Sequence, residues 1–229
     1  IIYQAIFMLM TIWVVYKGIG EGIEKYCKIL MPALFVILII LIVRSVTLEG
    51  AGKGLEFYLK PDFSKLTGES FAAALGQAFF SLSLGMGCMI TYGSYVDKQT
   101  ALPSAAIQVC IIDTSVAVLA GLAIFPAVFA FGVDAGAGPG LTFVTLPSVF
   151  AKMPGGMIWS ALFFLLLFIA AITSAISLLE VVAAYFIDKG WSRPKAAWIM
   201  GFLIFALGVP SAMSLTGSPK IVGKDFLDA

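Results

Sequence analysis

Residues 71–96 constrain the fold of this chain more than any other stretch. They read FAAALGQAFFSLSLGMGCMITYGSYV and are long enough to cross a bilayer, which takes about 20 apolar residues. Gly85-Met86-Gly87 lies in their middle, and two glycines one residue apart favour non-helical backbone. Lipid cannot satisfy the peptide groups that such a break frees, so protein or a polar cavity must surround it. The stretch indicates either an ion or substrate site inside a membrane or a kinked helix that packs through small residues.

The composition places the whole chain in the membrane. The sequence is 61% hydrophobic and 12% charged, whereas soluble domains are about 45–50% apolar and about 25% charged. The apolar runs are continuous, unlike the alternating segments of a β-barrel, and they predict an all-α integral membrane protein that contacts the lipid bilayer. A net charge of +1 gives no indication of nucleic-acid binding. The absence of His, with three scattered Cys, disfavours an enzyme or a transition-metal site.

The apolar runs predict about six spanning helices in a single membrane domain, residues 1–229. The chain begins on Ile1 inside an apolar run and ends in a polar tail, so we expect an interior fragment of a longer membrane protein. The stretch 49–70 is predicted as a polar loop. Lys and Arg are denser in the loops 17–28, 97–103 and 188–195 than in the alternate set. By the positive-inside rule these loops face the cytoplasm of a multi-pass protein in the cell (inner) membrane.

Three polar clusters lie at membrane depth. Asp113 interrupts an apolar run, and intramembrane carboxylates are functional candidates by default. It is predicted to pair with a cation, to stay protonated, or to form a structural hydrogen bond to a neighbouring helix. Ala170, Thr173, Ser174 and Ser177 recur at helical spacing and share one small, hydroxylated face, which predicts either a sodium site or a close helix contact. The third cluster surrounds the break and comprises Phe79, Phe80, Ser81, Ser83 and Met86. Glu180 is predicted either to form a buried pair or to lie near the inner surface.

Four motifs in order resemble the neurotransmitter:sodium symporter family. GQAFFSLSLGMG followed by ITYGSYV resembles its sixth helix, FIAAITSAISLLE its eighth, EGIEKYCKILMPALF the start of its fifth, and FVTLPSVFAKMPGG its helical extracellular loop. Bacterial amino-acid transporters of the family are the most similar. The resemblance implies the inverted-repeat transporter fold of leucine-transporter type, in which the first and sixth helices are broken at the bilayer midplane.

The resemblance also assigns each segment to a family helix. The assignments are the end of helix four (1–16), helix five (23–48), the broken helix six (71–96), helix seven (104–132), the extracellular loop helix (141–153), helix eight (157–188) and helix nine (194–210).

Site residues are carried over from the family by the same resemblance. Two sodium sites are implied, the first with Ser81 and Asp113 and the second with the Ala170 carbonyl, Thr173 and Ser174. The implied substrate pocket comprises Phe80, Ser81, Ser83, Met86, Ser174 and Leu178. The implied gating residues are Gln77, Tyr95 and Asp188.

Two positions indicate whether transport requires chloride. The family's usual residue at Asp113 is Asn, and chloride-dependent members have a Ser where this chain has Ala117. The resemblance therefore implies no chloride requirement. The function implied is sodium-coupled symport of a neutral, hydrophobic or aromatic amino acid across the plasma membrane by alternating access. The alternatives are a channel, an unrelated secondary transporter that uses a broken helix, and a non-transporting structural subunit.

Overall fold

The described part of the chain folds almost entirely into helices. A computed structural model describes residues 1–132, 140–214, 220–221 and 224–225. The helices are α1 (Ile2–Tyr16), α2 (Lys25–Val46), α3 (Ala51–Leu59), α4 (Gly68–Ser81), α5 (Cys88–Tyr95), α6 (Leu102–Ala130), α7 (Leu146–Lys152), α8 (Gly156–Asp188) and α9 (Arg193–Ser214). Shorter elements are the π-helical turns Ile19–Glu24 and Leu141–Thr145, the 3₁₀ turn Phe63–Lys65, and the two-residue strands β1 (Lys220–Ile221) and β2 (Lys224–Asp225), which pair antiparallel. Most of the DAGAGPG loop and most of the polar tail lie outside the described residues.

Within the described part of the chain, four helical segments are long and apolar enough to cross a membrane. They are Ile19–Val46, Leu102–Ala130, Gly156–Asp188 and Arg193–Met213. The apolar helix α1 has 15 residues. The stretch 71–96 contains most of α4 and all of α5, with residues 82–87 between them outside any helix. Each of the six stretches predicted to span thus contains an apolar helix, and the stretch 71–96 contains an interrupted one, but only four of them reach the length of a membrane span.

The chain divides into two compact units. The first comprises Ile1–Leu30, Met86–Ser94 and Ala171–Ala229. Its core is apolar and centres on α1, α8 and α9, with Val15, Ile176 and Ala197 each 0% exposed. Gly201 of α9 allows close packing, because an added Cβ would lie 2.4 Å from Ile12 Cγ1.

The second unit comprises Met31–Gly85 and Tyr95–Ala170. Its best-defined contact is α3 on α6. An added Cβ on Gly54 would lie 2.6 Å from the Phe125 carbonyl oxygen, and one on Gly121 would lie 2.2 Å from Tyr58 Cζ. The Tyr58 ring stacks on Phe125 with centroids 5.0 Å apart, and its hydroxyl donates to the Val118 carbonyl over 3.2 Å.

Helix α3 corrects the prediction of a polar loop over 49–70. Glycines at 50, 52 and 54 are unfavourable inside a helix by intrinsic propensity. The helix forms because Gly54 is buried against α6, where the missing side chain allows two backbones to approach. Tertiary packing therefore overrides local propensity in this segment.

Candidate functional site

The first half of the broken helix ends in a hydrogen-bonded cap. After Ser81, the amide of Ser83 donates to the Phe80 carbonyl over 3.0 Å and that of Leu84 donates to the Phe79 carbonyl over 3.1 Å. Ser83 has φ = 54°, in the left-handed region that usually selects glycine. This is the Schellman arrangement, with Ser83 in the position that glycine normally occupies. The helix thus ends before the glycines that predicted the break.

Peptide groups beyond this cap are available to a ligand. Among the described residues, no hydrogen bond involves the carbonyl of Ser81 or the amides of Gly85 and Met86. The carbonyl end of α4 carries the negative end of a helix dipole, and the amide end of any helix carries the positive end. At membrane depth, free peptide groups of this kind require surrounding protein or a polar cavity.

The second half-helix begins after Gly87, which has φ = 79°. The Gly87 carbonyl accepts from the Thr91 amide over 3.0 Å, in the first turn of α5. A Cβ at Gly87 would lie 3.2 Å from Val181 Cγ1 of α8. The glycine therefore meets both a conformational and a packing requirement.

A hydroxyl and a carboxylate meet at the end of α4. Ser81 Oγ donates to Asp113 Oδ2 over 2.6 Å, although the two residues lie 32 positions apart. Both side chains are half-buried, and within the described residues no Lys or Arg forms an ion pair with Asp113. Hydroxyl and carboxylate oxygens are ligands that suit a hard cation, so the donor set fits sodium.

Helix α8 has a buried face and a hydroxylated face. Ile172, Ile176 and Leu179 are at most 4% exposed, whereas Ala170 and Thr173 are half-buried and Ser174 is exposed. The latter three share one face by their spacing in the helix. The hydroxyls that were predicted to bind sodium therefore lie beside the buried face and not within it.

Glu180 forms a buried ion pair, which decides between the two predictions for this residue. Arg193 Nη1 donates to Glu180 Oε2 over 2.8 Å, and Nη2 donates to Oε1 over 3.0 Å. The Glu180 side chain is 0% exposed and that of Arg193 is 23% exposed. The same guanidinium donates to the Val15 carbonyl at the end of α1 over 3.4 Å. No sequence pattern predicted a role for Arg193.

The other predicted site residues lie as follows. Phe80, Met86 and Leu178 are exposed, and Tyr95 is the last residue of α5. Gln77 on α4 and Asp188 at the end of α8 are exposed, and in the described part of the chain neither forms a hydrogen bond or ion pair with another residue. The gating roles of these residues remain predictions.

No sequence motif predicted a role for Tyr92. Its hydroxyl donates to Ser177 Oγ over 2.8 Å, and Ser177 Oγ donates to the Thr173 carbonyl over 3.1 Å. Tyr92 was indicated only by its position within an apolar helix, where a phenolic hydroxyl needs a partner.

Comparison with known proteins identifies the family. The profile of the Sodium:neurotransmitter symporter family matches residues 1–219. The chain belongs to the sodium:neurotransmitter symporter family. It is 43% identical over 229 residues to the uncharacterized sodium-dependent transporter YhdH of Bacillus subtilis, covering 98% of this chain and 51% of that protein. It is 31% identical over 228 residues to the sodium- and chloride-dependent GABA transporter ine of Drosophila melanogaster, covering 93% of this chain and 23% of that protein.

A solved relative shares the fold of this chain. The crystal structure of MhsT in complex with L-phenylalanine superposes with a TM-score of 0.86 at 50% identity, covering 99% of this chain and 53% of MhsT. The match confirms the resemblance and the predicted fold class, an all-α membrane protein of the inverted-repeat transporter type. The chain spans about half the length of its bacterial relatives.

Proposed function

We propose that the symporter to which this chain belongs couples the uptake of a neutral, hydrophobic or aromatic amino acid to sodium by alternating access. It acts in the cell (inner) membrane and does not require chloride. The observation that carries this proposal is the 2.6 Å contact between Ser81 Oγ and Asp113 Oδ2. This contact supports the proposal because two oxygen atoms of the kind that bind a hard cation lie together at the end of α4.

The first sodium site is proposed at this pair. A sodium ion takes oxygen ligands, and unwound backbone supplies carbonyls in transporters of this kind. The hydroxyl proton of Ser81 now points at Asp113, so a bound cation would turn that hydroxyl and take its oxygen lone pair. The second site is proposed on the α8 face of Ala170, Thr173 and Ser174.

The substrate is proposed to bind at the break between α4 and α5. A zwitterionic amino acid needs acceptors for its ammonium group and donors for its carboxylate. The unbonded Ser81 carbonyl is an acceptor, and the unbonded amides of Gly85 and Met86 are donors. Phe80, Ser83, Leu178 and Ser174 are proposed to complete the pocket. The complex of MhsT with L-phenylalanine supports an apolar or aromatic side chain, which the flexible Met86 thioether can contact in several shapes.

Chloride independence is proposed from charge. A carboxylate at Asp113 supplies a fixed negative charge beside the sodium ligands, and Ala117 lacks the hydroxyl that a chloride ion would need. A fixed carboxylate and a bound chloride ion each place a negative charge near the sodium ion, and each stabilises the ion by Coulomb attraction. A chloride ion near this position would be repelled by the Asp113 carboxylate.

The test is uptake by the full-length protein in liposomes. Uptake of labelled L-phenylalanine and other neutral amino acids should require an inward sodium gradient and persist when gluconate replaces chloride. Replacing Thr173 and Ser174 together with Ala should abolish sodium stimulation. Ser115→Ala is the matched control, because the Ser115 hydroxyl bonds to the Ile111 carbonyl of its own helix. Sodium-independent uptake, or a saturating rate that falls without chloride, would contradict the proposal.

A further inference from the structure

A chain of two hydrogen bonds in the first unit joins α5 to α8. The Tyr92 hydroxyl donates to Ser177 Oγ over 2.8 Å, and Ser177 Oγ donates to the Thr173 carbonyl over 3.1 Å. A serine hydroxyl has one proton. Because Ser177 gives that proton to Thr173, it can only accept from Tyr92. The direction of both bonds is therefore fixed.

Apolar side chains lie beside this chain of bonds, whose three residues are half-buried. Ile172 and Ile176 on the neighbouring positions of α8 are 4% and 0% exposed, and Tyr92 packs against the same core. In such surroundings a hydroxyl that loses its partner pays a desolvation penalty that water would otherwise relieve. For that reason, breaking the Tyr92–Ser177 hydrogen bond would destabilise this packing.

The carbonyl at the end of the chain belongs to a residue of the proposed second sodium site. Thr173 and Ser174 carry the two hydroxyls of that site, and Ser177 reaches back one turn to the Thr173 peptide group. A serine that bonds to the carbonyl four residues earlier locally bends a helix. The Thr173 peptide group that accepts this bond lies between the Thr173 and Ser174 side chains along the chain.

We propose that Tyr92 is a positioning residue for the second sodium site. Through Ser177 it holds the turn of α8 that carries Thr173 and Ser174 in the geometry that binds sodium. This inference rests on the proposed function. Tyr92 itself supplies no atom to the ion, and its helix α5 is the half-helix that follows the break. Its hydroxyl therefore links the segment proposed to bind substrate to the ligands proposed to bind sodium.

The test is the sodium dependence of thermal stability in the purified full-length protein, with choline chloride replacing sodium chloride at constant ionic strength. Tyr92→Phe removes only the hydroxyl. It should raise the sodium concentration for half-maximal stabilisation by about fivefold, the factor that one ordinary hydrogen bond contributes. Ser177→Ala should raise this sodium concentration by a similar factor. The double variant should raise it no further, because both changes break the same chain of hydrogen bonds.

Ser94→Ala is the matched control on the same helix. The Ser94 hydroxyl bonds to the Thr91 carbonyl within α5 over 2.6 Å, so its removal should leave the sodium dependence unchanged. If Tyr92→Phe does not fold, Ser177→Ala decides by the same criterion.

The outcomes separate the two proposals. A wild-type protein that sodium stabilises, with a Tyr92→Phe variant of unaltered sodium dependence, would overturn the positioning role and leave the proposed function intact. This holds even if the variant melts at a lower temperature in choline, because that loss would be structural. A wild-type protein that sodium does not stabilise would overturn both.

Discussion

The ion pair between Glu180 and Arg193 allows a quantitative prediction. The two side chains meet in the bidentate geometry in which arginine binds a carboxylate most strongly, with distances of 2.8 and 3.0 Å. The perturbations are Arg193→Met, which keeps much of the apolar stem, and Glu180→Gln, which keeps the shape of the carboxylate. Each removes one charge and leaves the other.

The magnitude follows from burial. Removing one partner of a buried pair costs about 3–5 kcal/mol, because an uncompensated charge remains in a poorly solvated site. The Glu180 side chain is 0% exposed, whereas that of Arg193 is 23% exposed. The guanidinium also keeps its bond to the Val15 carbonyl. We therefore expect Arg193→Met to cost about 5 kcal/mol and Glu180→Gln about 3 kcal/mol.

The assay is reversible unfolding of the full-length protein in mixed micelles, with both single variants and the double variant. The double variant should lose much less than the sum of the singles, because no lone charge is left. The matched control is Glu56→Gln, which breaks an exposed pair with Lys60 of similar length, 2.8 Å, and should cost at most about 1 kcal/mol. Equal losses for Arg193→Met and Glu56→Gln would refute the reasoning.

Three further predictions concern the packing and the site. Ser83→Gly should raise the unfolding free energy by about 1 kcal/mol, because it relieves a left-handed residue with φ = 54°, and an unchanged or lower value in the same assay would contradict this. Gly121→Ala should destabilise by about 1–3 kcal/mol through its clash with Tyr58, while Gly52→Ala, with no atom within 4 Å of the added Cβ, should not destabilise. Asp113→Asn should weaken sodium binding about tenfold through the loss of a charge beside the ion, measured by sodium titration of amino-acid binding. An unchanged sodium affinity would show that Asp113 does not belong to the sodium site.

Local patterns in the sequence predicted the membrane helices, because a bilayer imposes length and apolarity on every span. They did not predict α3, because glycines count against a helix until the surface that they contact is known. Nor could they join Glu180 to Arg193, since that contact depends on the turn 189–192 between two helices. The contact of Ser81 with Asp113 was implied only by resemblance to a family, since no spacing rule connects residues 32 positions apart.

At the break between α4 and α5, the structure departs from the local conformational preferences of the sequence, and this departure is informative. Glycines at 85 and 87 placed the predicted interruption, yet the first half-helix is capped at Ser83, whose left-handed backbone costs about 1 kcal/mol relative to glycine. Glycine in that position would form the same two capping bonds without strain, but it would provide no hydroxyl. Strained residues that persist in a fold cluster at functional sites, and conflicts between local preference and structure are expected there. The strain at Ser83 therefore gives independent support for its proposed place in the substrate pocket, next to Ser81 and the free carbonyl at the end of α4.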